Sequence, residues 1–378
     1  MILRGLLLLI AGSVLIAGEV RGVWVARDSL TTPETFKRTI ERLAEANFNA
    51  VFVNVWSRGY PLWPSKVFER ETGLMIDPEF RGRDVMAECL EYATPLGLAC
   101  VPWVEYGFVA GYSGYYPGDG GKGPVFDRHP EWLAKTRSGN DAFAVSGTKE
   151  NFFWLAHTNS EAQAWLIDLM VELATKYRID SIEFDRARYP QLDCGYDEAT
   201  RALYAKEHNG AALPENVSAR AWMLWRARKL NDFVLTLARK VKAVDWRMMI
   251  TNAPITYPYG LEMFAQDYPT WLVEGAVDYV SPQIYRADLA TFVRELDNNL
   301  RFLKDSSRLV PGIDITNSKS AEVLIRMIEA TRERGLAGVV IWYYTGLVST
   351  GALEKLKETV YAEKASLPWR SSQLQSLP

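Results

Sequence analysis

The sequence has few residues that could build a disulfide framework or a metal site. It contains three cysteines and three histidines among 378 residues. An odd, sparse set of cysteines without a CxxC pair excludes a disulfide-stabilised scaffold and a zinc motif. The cysteines at 89 and 100 fall on a predicted helix and a predicted strand, so we expect both to be small buried residues. The histidines lack metal-ligand spacing, and no metal or other cofactor is expected. The residues concerned are Cys89, Cys100, Cys194, His129, His157 and His208.

The sequence also lacks an excess of charge of one sign. The formal net charge is −3, and no run of lysine and arginine is long enough to form a nucleic-acid or anionic-membrane surface. A glycine-rich phosphate-binding turn is missing as well, since the residues after the first predicted strand read ARDSLTT (26–32). These absences disfavour a nucleic-acid partner and an open nucleotide-binding sheet.

The N-terminal segment MILRGLLLLIAGSVLIAG (1–18) has the pattern of a signal peptide. Arg4 precedes an apolar stretch at 6–16, which is shorter than the roughly 20 residues of a transmembrane helix. The cleavage site is imperfect, because Leu15 or Ile16 occupies the third position back, and no cysteine follows to carry a lipid. We expect a cleaved leader, no stable membrane insertion, and export to the periplasm, the cell envelope or the extracellular space. An uncleaved membrane anchor is the alternative.

After the leader, strand-like and helix-like segments alternate along the whole chain. The helices have recognisable starts, for example Thr32 before Pro33, and Asn159 or Ser160 before the segment that ends at 177. Continuous apolar strands are typical of a parallel sheet that is buried on both faces. Eight strand–helix units predict an α/β fold, a (β/α)8 TIM barrel, as one domain over 19–365 with a flexible C-terminal tail at 366–378. The predicted strands are 21–27, 50–56, 98–108, 181–189, 248–254, 279–285, 308–314 and 338–344.

One connection departs from the regular pattern. About 50 residues, 109–159, separate the third strand from its helix and are rich in glycine, tyrosine and tryptophan. Loops of this length inside a compact domain are usually functional, and the loops after barrel strands form the active-site face. We therefore expect this long insertion between the third strand and the third helix to form one wall of a substrate cleft.

The abundance of aromatic residues points toward sugar. The chain has 13 tryptophans and 18 tyrosines. Sugar rings present C–H faces that stack on aromatic side chains, so this excess favours a carbohydrate ligand. The alternative is that the rings fill a large core.

Carboxyl groups at the strand ends are the candidates for catalysis. Glu183 and Asp185 alternate onto the same face of the fourth strand and point into the barrel, while Glu105 ends the third strand. Glycoside hydrolysis needs two carboxyl groups, one to protonate the glycosidic oxygen and one to attack or to activate water. We assign Asp185 with Glu105 as the preferred pair. Asp185 with Glu183 resembles a substrate-assisted arrangement, in which an N-acetyl group attacks, and Asp314 is a third possible partner. A structural ion pair with Arg186 or Arg188 is the alternative for both acids of the fourth strand.

Other polar and aromatic residues at the strand ends are candidates for binding substrate. Trp342 is expected to form an aromatic floor for a sugar ring, with Trp56 and Trp24 as further platforms, although barrel packing is an equal explanation for Trp24. Arginine and tyrosine side chains could bind sugar hydroxyls or hold the carboxylates, and surface salt bridges are the alternative for the arginines. The predicted substrate-binding residues are Trp56, Arg58, Arg188, Tyr189, Asn252, Gln283, Tyr285, Asp314 and Trp342.

Several segments in order along the chain resemble the glycosyl hydrolase-like 10 family, a group of exported bacterial proteins of the glycoside hydrolase type. The resemblance implies a (β/α)8 barrel, export to the cell envelope, and Asp185 as the most characteristic acid. At least one bacterial member is reported to cleave peptidoglycan glycan strands that lack stem peptides. The matching segments are RGVWV (21–25), FNAVFVNVWSRGYPLWPS (48–65), WVEYGF (103–108), HPEWLA (129–134), IDSIEFDRARYP (179–190) and SPQIYR (281–286).

This chain departs from the family pattern in three respects, one of which is the missing lipoprotein cysteine, which separates it from the anchored members. It reads WLAHTNSEA at 154–162, where relatives commonly have WLNPAHPEV, and the position of Glu183 is not reliably acidic in relatives. The leading hypothesis is a hydrolase of an envelope or extracellular polysaccharide, in particular one that contains N-acetylhexosamine. The alternatives are a non-catalytic carbohydrate-binding barrel and a substrate-assisted hydrolase that uses Glu183 and Asp185.

Overall fold

The eight apolar segments form eight parallel strands in the computed structural model, which describes residues 18–115 and 121–369. Nearly every strand residue is buried, because helices cover one face of the sheet and the other face lines the inside of the barrel. The strands are shorter than the sequence pattern predicts, and all except the seventh begin within one residue of the predicted position. Their bounds are β1 Val20–Val25, β2 Ala50–Asn54, β3 Ala99–Val104, β4 Ser181–Phe184, β5 Met249–Asn252, β6 Tyr279–Val280, β7 Gly312–Asp314 and β8 Gly338–Trp342.

The strands close into a barrel. Neighbouring strands follow the order β6–β5–β4–β3–β2–β1–β8–β7, and all these pairs are parallel. Parallel bridges Val280–Leu309 and Gln283–Gly312 join the two ends of this order. The backbone N–H of Gly312 donates to the carbonyl oxygen of Pro282 at 2.9 Å, which is part of this seam. The predicted (β/α)8 TIM barrel is therefore confirmed.

Several of the helices begin at residues whose side chains accept backbone N–H groups. Thr32 accepts the N–H of Thr35 at 3.1 Å, and Asn159 accepts the N–H groups of Glu161 and Ala162 at 3.0 Å each. The α-helices of the described residues are Pro33–Glu45, Lys66–Thr72, Val85–Ala93, Pro124–Arg128, Ser160–Lys176, Glu198–Glu207, Arg220–Lys242, Tyr259–Phe264, Tyr268–Val273, Leu289–Leu300, Ile315–Ser318, Ala321–Glu333, Tyr344–Ser349 and Ala352–Glu358.

Because side chains alternate between the two faces of the strands, the barrel has two separate hydrophobic cores. One lies between the sheet and the helices and contains both Cys89 and Cys100, which are buried as expected with their sulfur atoms 2.9 Å apart. The other fills the barrel and includes Trp24 and Trp103. Gly312 makes room for this inner core, because a Cβ there would lie 2.9 Å from the ring of Trp24. The inside of the barrel is therefore packed with side chains.

The long connection after β3 has structure of its own. It contains a three-stranded antiparallel sheet formed by Val109–Tyr112, Phe143–Ala144 and Asn151–Trp154, and the short helix Pro124–Arg128. Residues 116–120 of this segment lie outside the described residues. The insertion is thus a small folded unit attached to the C-terminal end of the barrel.

The two ends of the domain meet at the opposite, N-terminal end of the barrel. The N–H of Glu19 donates to the carbonyl oxygen of Ser366 at 2.8 Å, Leu367 is buried in the inner core, and Trp369 stacks on Tyr279 with ring centroids 5.2 Å apart. Residues 366–369 therefore pack on the barrel instead of belonging to a flexible tail. The remainder of the predicted tail (370–378) and residues 1–17 of the predicted leader lie outside the described residues. Within the described ranges, no helix has both the length and the hydropathy needed to cross a membrane.

Candidate active site

A cavity of about 110 Å³ opens at the C-terminal end of the barrel. Catalytic groups of this fold lie at that end, because the loops that follow all eight strands converge there. The cavity combines two carboxyl groups, two guanidinium groups and a wall of aromatic rings. Its lining residues are Trp24, Trp103, Glu105, Asp185, Arg186, Arg188, Gln283, Tyr285 and Trp342.

Asp185 lies at the mouth of the barrel directly after β4. Its backbone N–H donates to the carbonyl oxygen of Val104 at 3.2 Å, which ties it to the end of β3. Its Oδ1 accepts the backbone N–H of Arg186 at 2.5 Å, and the indole N–H of Trp103 donates to Oδ2 at 3.4 Å. The carboxyl group is therefore held in one direction by groups that favour its charged form.

Gly107 allows the chain after β3 to pass close to Asp185. Its φ is +45°, and a Cβ at this position would lie 2.2 Å from the carbonyl oxygen of Asp185. A residue with a side chain would push the two segments apart. The glycine of the WVEYGF segment thus brings the loop that carries Glu105 against the end of β4.

The electrostatic environment of Asp185 contains opposing contributions. Burial raises the pKa of Asp185, while Arg186 and Arg188 lower it, and the net direction is upward from the ordinary value. The side chain is buried, with only 5% of the residue exposed. The neighbouring arginines therefore offset part of the desolvation that would otherwise neutralise this acid.

Glu105 is the second carboxyl group of the cavity. Burial raises the pKa of Glu105 to about 7, with Asp185 adding to the shift and Arg186 opposing it. The side-chain amide of Asn54 donates to Oε2, and the guanidinium of Arg186 lies 3.8 Å from Oε1. An acid with this pKa holds its proton in a substantial fraction of molecules at neutral pH, which is the property required of a proton donor.

Glu183 lies below the cavity and does not line it. It is fully buried inside the barrel, where its Oε2 accepts the indole N–H of Trp24 at 2.6 Å and its Oε1 has no hydrogen-bond partner within the described residues. Burial raises the pKa of Glu183 well above its ordinary value, and Asp185 raises it further. The structure therefore corrects the prediction of Glu183 as a catalytic residue, because Glu183 does not line the cavity and its carboxyl group is hydrogen-bonded to the indole of Trp24.

Glu183→Gln is expected to stabilise the fold increasingly as the pH rises. Because the pKa of Glu183 is raised by burial, the folded state binds its proton more tightly than the unfolded chain does. Wild-type stability therefore falls above the unfolded pKa of about 4.3, by up to about 1.4 kcal/mol per pH unit, until the folded pKa is reached. Urea unfolding of both proteins at about pH 4.5 and pH 7.5 measures the difference. A stability difference that does not change with pH would contradict a protonated Glu183.

Aromatic rings form the wall of the cavity. The ring of Trp342 lies 5.7 Å from that of Trp103 and 6.4 Å from that of Trp24, and it stacks on Tyr285 at 6.5 Å. Burial raises the pKa of Tyr285, and Asp185 raises it further, so the phenol stays neutral and can donate a hydrogen bond. Gln283 donates to the carbonyl oxygen of Ala253 at 2.9 Å, which fixes its amide at the rim. This combination of apolar ring faces and polar groups suits a sugar ring, because its C–H face can stack on the aromatic rings and its hydroxyl groups can bond to the polar side chains.

Three predicted substrate-binding residues are buried elsewhere. Trp56 lies in the outer core, where it contacts Trp165 and donates to the carbonyl oxygen of Val109 at 3.1 Å. Tyr189 stacks on His157 with ring centroids 3.9 Å apart. Asn252 is buried and donates to the carbonyl oxygen of Phe184. These predictions fail for two reasons. Trp56 and Tyr189 lie past the ends of their strands, where side chains no longer alternate between the two faces of the sheet. Asn252 directly precedes Ala253, whose side chain faces the inside of the barrel, so the side chain of Asn252 points to the other face.

Arg58 and Asp314 lie beside the cavity without lining it. Arg58 borders a neighbouring depression, with its guanidinium 5.4 Å from the ring of Tyr112, and its charge lowers the pKa of Glu105. Asp314 caps the short helix that follows β7, because its Oδ1 accepts the backbone N–H of Thr316 at 2.7 Å and its hydroxyl at 2.6 Å. Asp314 is therefore a structural cap in this geometry. The described residues contain no group of histidine, cysteine, aspartate and glutamate side chains arranged to hold a metal ion.

The structure adds two residues to the predicted lining. Trp103 faces the cavity because it stands on the same face of β3 as Glu105, and the alternation of that strand could have identified it. Arg186 also lines the cavity, with its guanidinium 5.0 Å from the ring of Tyr106 and 5.2 Å from that of Phe152. Among the described residues, the insertion 109–159 contributes no side chain to the lining. It supports Arg186 through Phe152 and does not form the predicted wall itself.

The family of the chain follows from a comparison with protein-family models. Residues 19–315 match the model described as Glycosyl hydrolase-like 10. The chain belongs to this family. The match covers seven of the eight strands and both carboxyl groups of the cavity, so the resemblance expected from the sequence is confirmed.

Curated relatives with names of the same kind match this chain at low sequence identity. The chain is 21% identical over 310 residues to "Glycosyl hydrolase DigH" of Escherichia coli strain K12, covering 70% of this chain and 65% of that protein. It is 24% identical over 178 residues to "Glycosyl hydrolase YngK" of Bacillus subtilis strain 168, covering 42% of this chain and 30% of that protein. The matches thus span about two thirds or less of these relatives.

Solved structures share the fold. The glycoside hydrolase domain of PgaB (BpsB) from Bordetella bronchiseptica superposes with a TM-score of 0.67 at 15% identity, covering 90% of this chain and 98% of that chain. The catalytic domain of beta-amylase from Paenibacillus polymyxa superposes with a TM-score of 0.62 at 13% identity, covering 90% and 97%. The barrel architecture is therefore that of known glycoside hydrolases.

Proposed function

We propose that this protein is a glycoside hydrolase that cleaves an envelope or extracellular polysaccharide, with Asp185 as the nucleophile or principal carboxylate and Glu105 as the acid/base. The observation that carries the proposal is the pair of carboxyl groups on one cavity in different environments. Asp185 lies beside two arginines and accepts N–H groups, which favours the ionised form. Glu105 has a pKa of about 7, so its carboxyl group can donate a proton and accept one back at neutral pH.

The chemistry follows from these two states. Protonated Glu105 would give its proton to the glycosidic oxygen as the bond to the leaving sugar breaks. Ionised Asp185 would stabilise or capture the positive charge that develops on the other sugar. Once the leaving group has gone, Glu105 would take a proton from the water that completes hydrolysis.

Three observations support a polysaccharide as substrate. The cavity is open at the end of the barrel, its walls are aromatic, and relatives of the family are named glycosyl hydrolases. We further propose export, which rests on the signal-like residues 1–18. An exported hydrolase would meet the glycans of the envelope, and strands that contain N-acetylhexosamine are the substrate that we expect.

Hydrolysis of a glycan panel tests the proposal. The purified protein is incubated with peptide-free peptidoglycan strands, poly-N-acetylglucosamine and a plain glucan, and the new reducing ends are counted. The Asp185→Asn, Glu105→Gln double variant, purified in the same way, controls for contaminating hydrolases. Cleavage by the wild type alone is expected on at least one N-acetylhexosamine polymer.

The panel also separates the alternatives. Binding to glycans without cleavage of any of them would favour a non-catalytic carbohydrate-binding barrel. Substrate-assisted hydrolysis needs an N-acetyl group, so cleavage of the plain glucan would exclude it. The burial of Glu183 argues against that mechanism, and Glu183→Gln should retain hydrolysis if the residue acts only inside the barrel.

A further inference from the structure

We infer that Cys89 and Cys100 are joined by a disulfide bond when the chain folds in an oxidising environment, and that this bond belongs to the native fold. Both residues are thiols in the structure. The inference concerns the core beneath the helices and does not depend on the proposed hydrolysis. It rests on the distance between two sulfur atoms, on the elements that hold them there, and on the export that we propose for the protein.

The sulfur atoms of the two cysteines are closer than unbonded atoms prefer. They lie 2.9 Å apart. Unbonded carbon atoms pack best at about 3.5–4.0 Å, and sulfur is larger than carbon. A disulfide bond is about 2.0 Å long, so the sulfur atoms need to approach by only about 0.9 Å to form one. Small rotations of the two side chains supply a shift of this size.

The backbone holds both cysteines in position. Cys89 lies on the buried face of the Val85–Ala93 helix, and Cys100 is the second residue of β3. Alternation points Cys100 to the outside of the barrel, into the same core as Cys89. The N–H of Leu98 donates to the carbonyl oxygen of Ala93 at 3.1 Å, which closes the short turn between helix and strand. The packing of this helix on this strand therefore sets the distance between the sulfur atoms.

The bond forms by thiol–disulfide exchange, which needs an oxidant. The thiolate of one cysteine attacks a small-molecule disulfide such as oxidised glutathione, so that a mixed disulfide forms and one reduced thiol leaves. The second cysteine then attacks the mixed disulfide, which creates the protein disulfide and releases a second reduced thiol. The two protein thiols give up two electrons to the oxidant, and their protons pass to the two released thiols.

Burial determines when this exchange takes place. Burial raises the pKa of Cys89 well above its ordinary value, and the hydrogen bond with Cys100 raises it further. The thiolate is the form that attacks a disulfide, and both cysteines are buried in the folded protein. The pair therefore reacts while the chain is folding, before the helix covers the strand. Disulfides form in the compartments that receive exported proteins, and residues 1–18 have the pattern of an export signal.

The third cysteine has a different environment. Cys194 follows β4, where its backbone pairs with that of Thr136 and its carbonyl oxygen accepts a hydrogen bond from Arg226 at 2.9 Å. One bond between Cys89 and Cys100 leaves Cys194 as a single thiol, which accounts for the odd number of cysteines. A single bond inside a large core also differs from a disulfide-stabilised scaffold, in which several bonds replace the core.

Synthesis under two redox conditions tests the inference. The full chain is made in a cell-free system, once with a mixture of oxidised and reduced glutathione and once with dithiothreitol. Free thiols are alkylated in denaturant, and the intact mass and the cysteine peptides are then measured. With glutathione, we expect a peptide in which Cys89 and Cys100 are linked, with alkylation of Cys194 alone. With dithiothreitol, all three cysteines should be alkylated.

The bond should also stabilise the folded protein. Closing a loop of about a dozen residues restricts the unfolded chain and changes the equilibrium constant of unfolding by roughly 100-fold. The midpoint of urea unfolding should therefore be higher for the oxidised protein than for the reduced one. Cys194→Ser is the matched control and should keep both the bond and this shift, whereas Cys89→Ser should lose both.

The wild type alone decides the outcome, so a poorly folding variant does not affect the test. Three alkylated cysteines after synthesis with glutathione would overturn the inference. A bond that involves Cys194, or a bond between Cys89 and Cys100 that leaves the urea midpoint unchanged, would also overturn it, because neither fits the native packing.

Discussion

Asp185→Asn is expected to lower kcat/KM for the cleaved glycan by about 1,000-fold or more. The amide keeps the shape of the side chain and can still accept the backbone N–H of Arg186, but it carries no negative charge. A preorganised charge at the reacting centre contributes effects of this order, because the surrounding protein excludes water. The measurement is the initial rate of reducing-end release for purified wild type and variant. Equal rates would remove Asp185 from the mechanism.

The same substitution should leave the protein folded and at least as stable as the wild type. Because burial raises the pKa of Asp185, the ionised carboxylate costs the folded state free energy at pH values above its unfolded pKa of about 3.9. Removing the charge relieves that cost, so Asp185→Asn should resist urea better at neutral pH. Asp168→Asn, an exposed aspartate on the Ser160–Lys176 helix, is the matched control and should change neither rate nor stability. A loss of stability in Asp185→Asn would indicate that Asp185 is a structural ion-pair residue.

Glu105→Gln is expected to lower kcat/KM on natural glycosidic bonds by about 100- to 10,000-fold, the usual range for loss of a general acid. The loss should be much smaller on an aryl glycoside, whose leaving group departs without a proton. Comparing the two substrates separates proton donation from binding, because a binding defect would affect both equally. An equal loss on both would contradict the assignment of Glu105 as the acid.

The pH dependence provides a second test of Glu105. Its pKa is raised to about 7, so wild-type kcat/KM on the natural substrate should fall as the pH rises through this value and the proton is lost. Asn54 donates to Glu105 and favours the charged form, so Asn54→Leu should move this decline to higher pH. A decline at the same pH in Asn54→Leu would assign the titration to another group.

Much of this architecture could be predicted from the sequence. Eight apolar segments separated by helical patterns are sufficient for a barrel, because a sheet buried on both faces requires such strands. Glu105 and Asp185 could be found for a related reason. Each lies only one residue past the end of a strand, close enough that its side chain still follows the alternation of that strand.

The wrong assignments share a physical cause. Strand alternation describes side chains only as long as the strand continues, and β2 and β4 end before the residues that the pattern included. Trp56 lies past the end of β2 and Tyr189 past the end of β4, and each turns outward into the core beneath the helices. Glu183 shows a different limit, since its inward direction was predicted but its hydrogen bond with the Trp24 indole was not.

The sequence by itself determined the barrel, its order of elements and the two acids at the strand ends, because each follows from local periodicity. Only the tertiary structure decided which residues share the cavity. Whether each acid is neutral or charged depends on its burial and on neighbours that are distant along the chain, such as Asn54 beside Glu105.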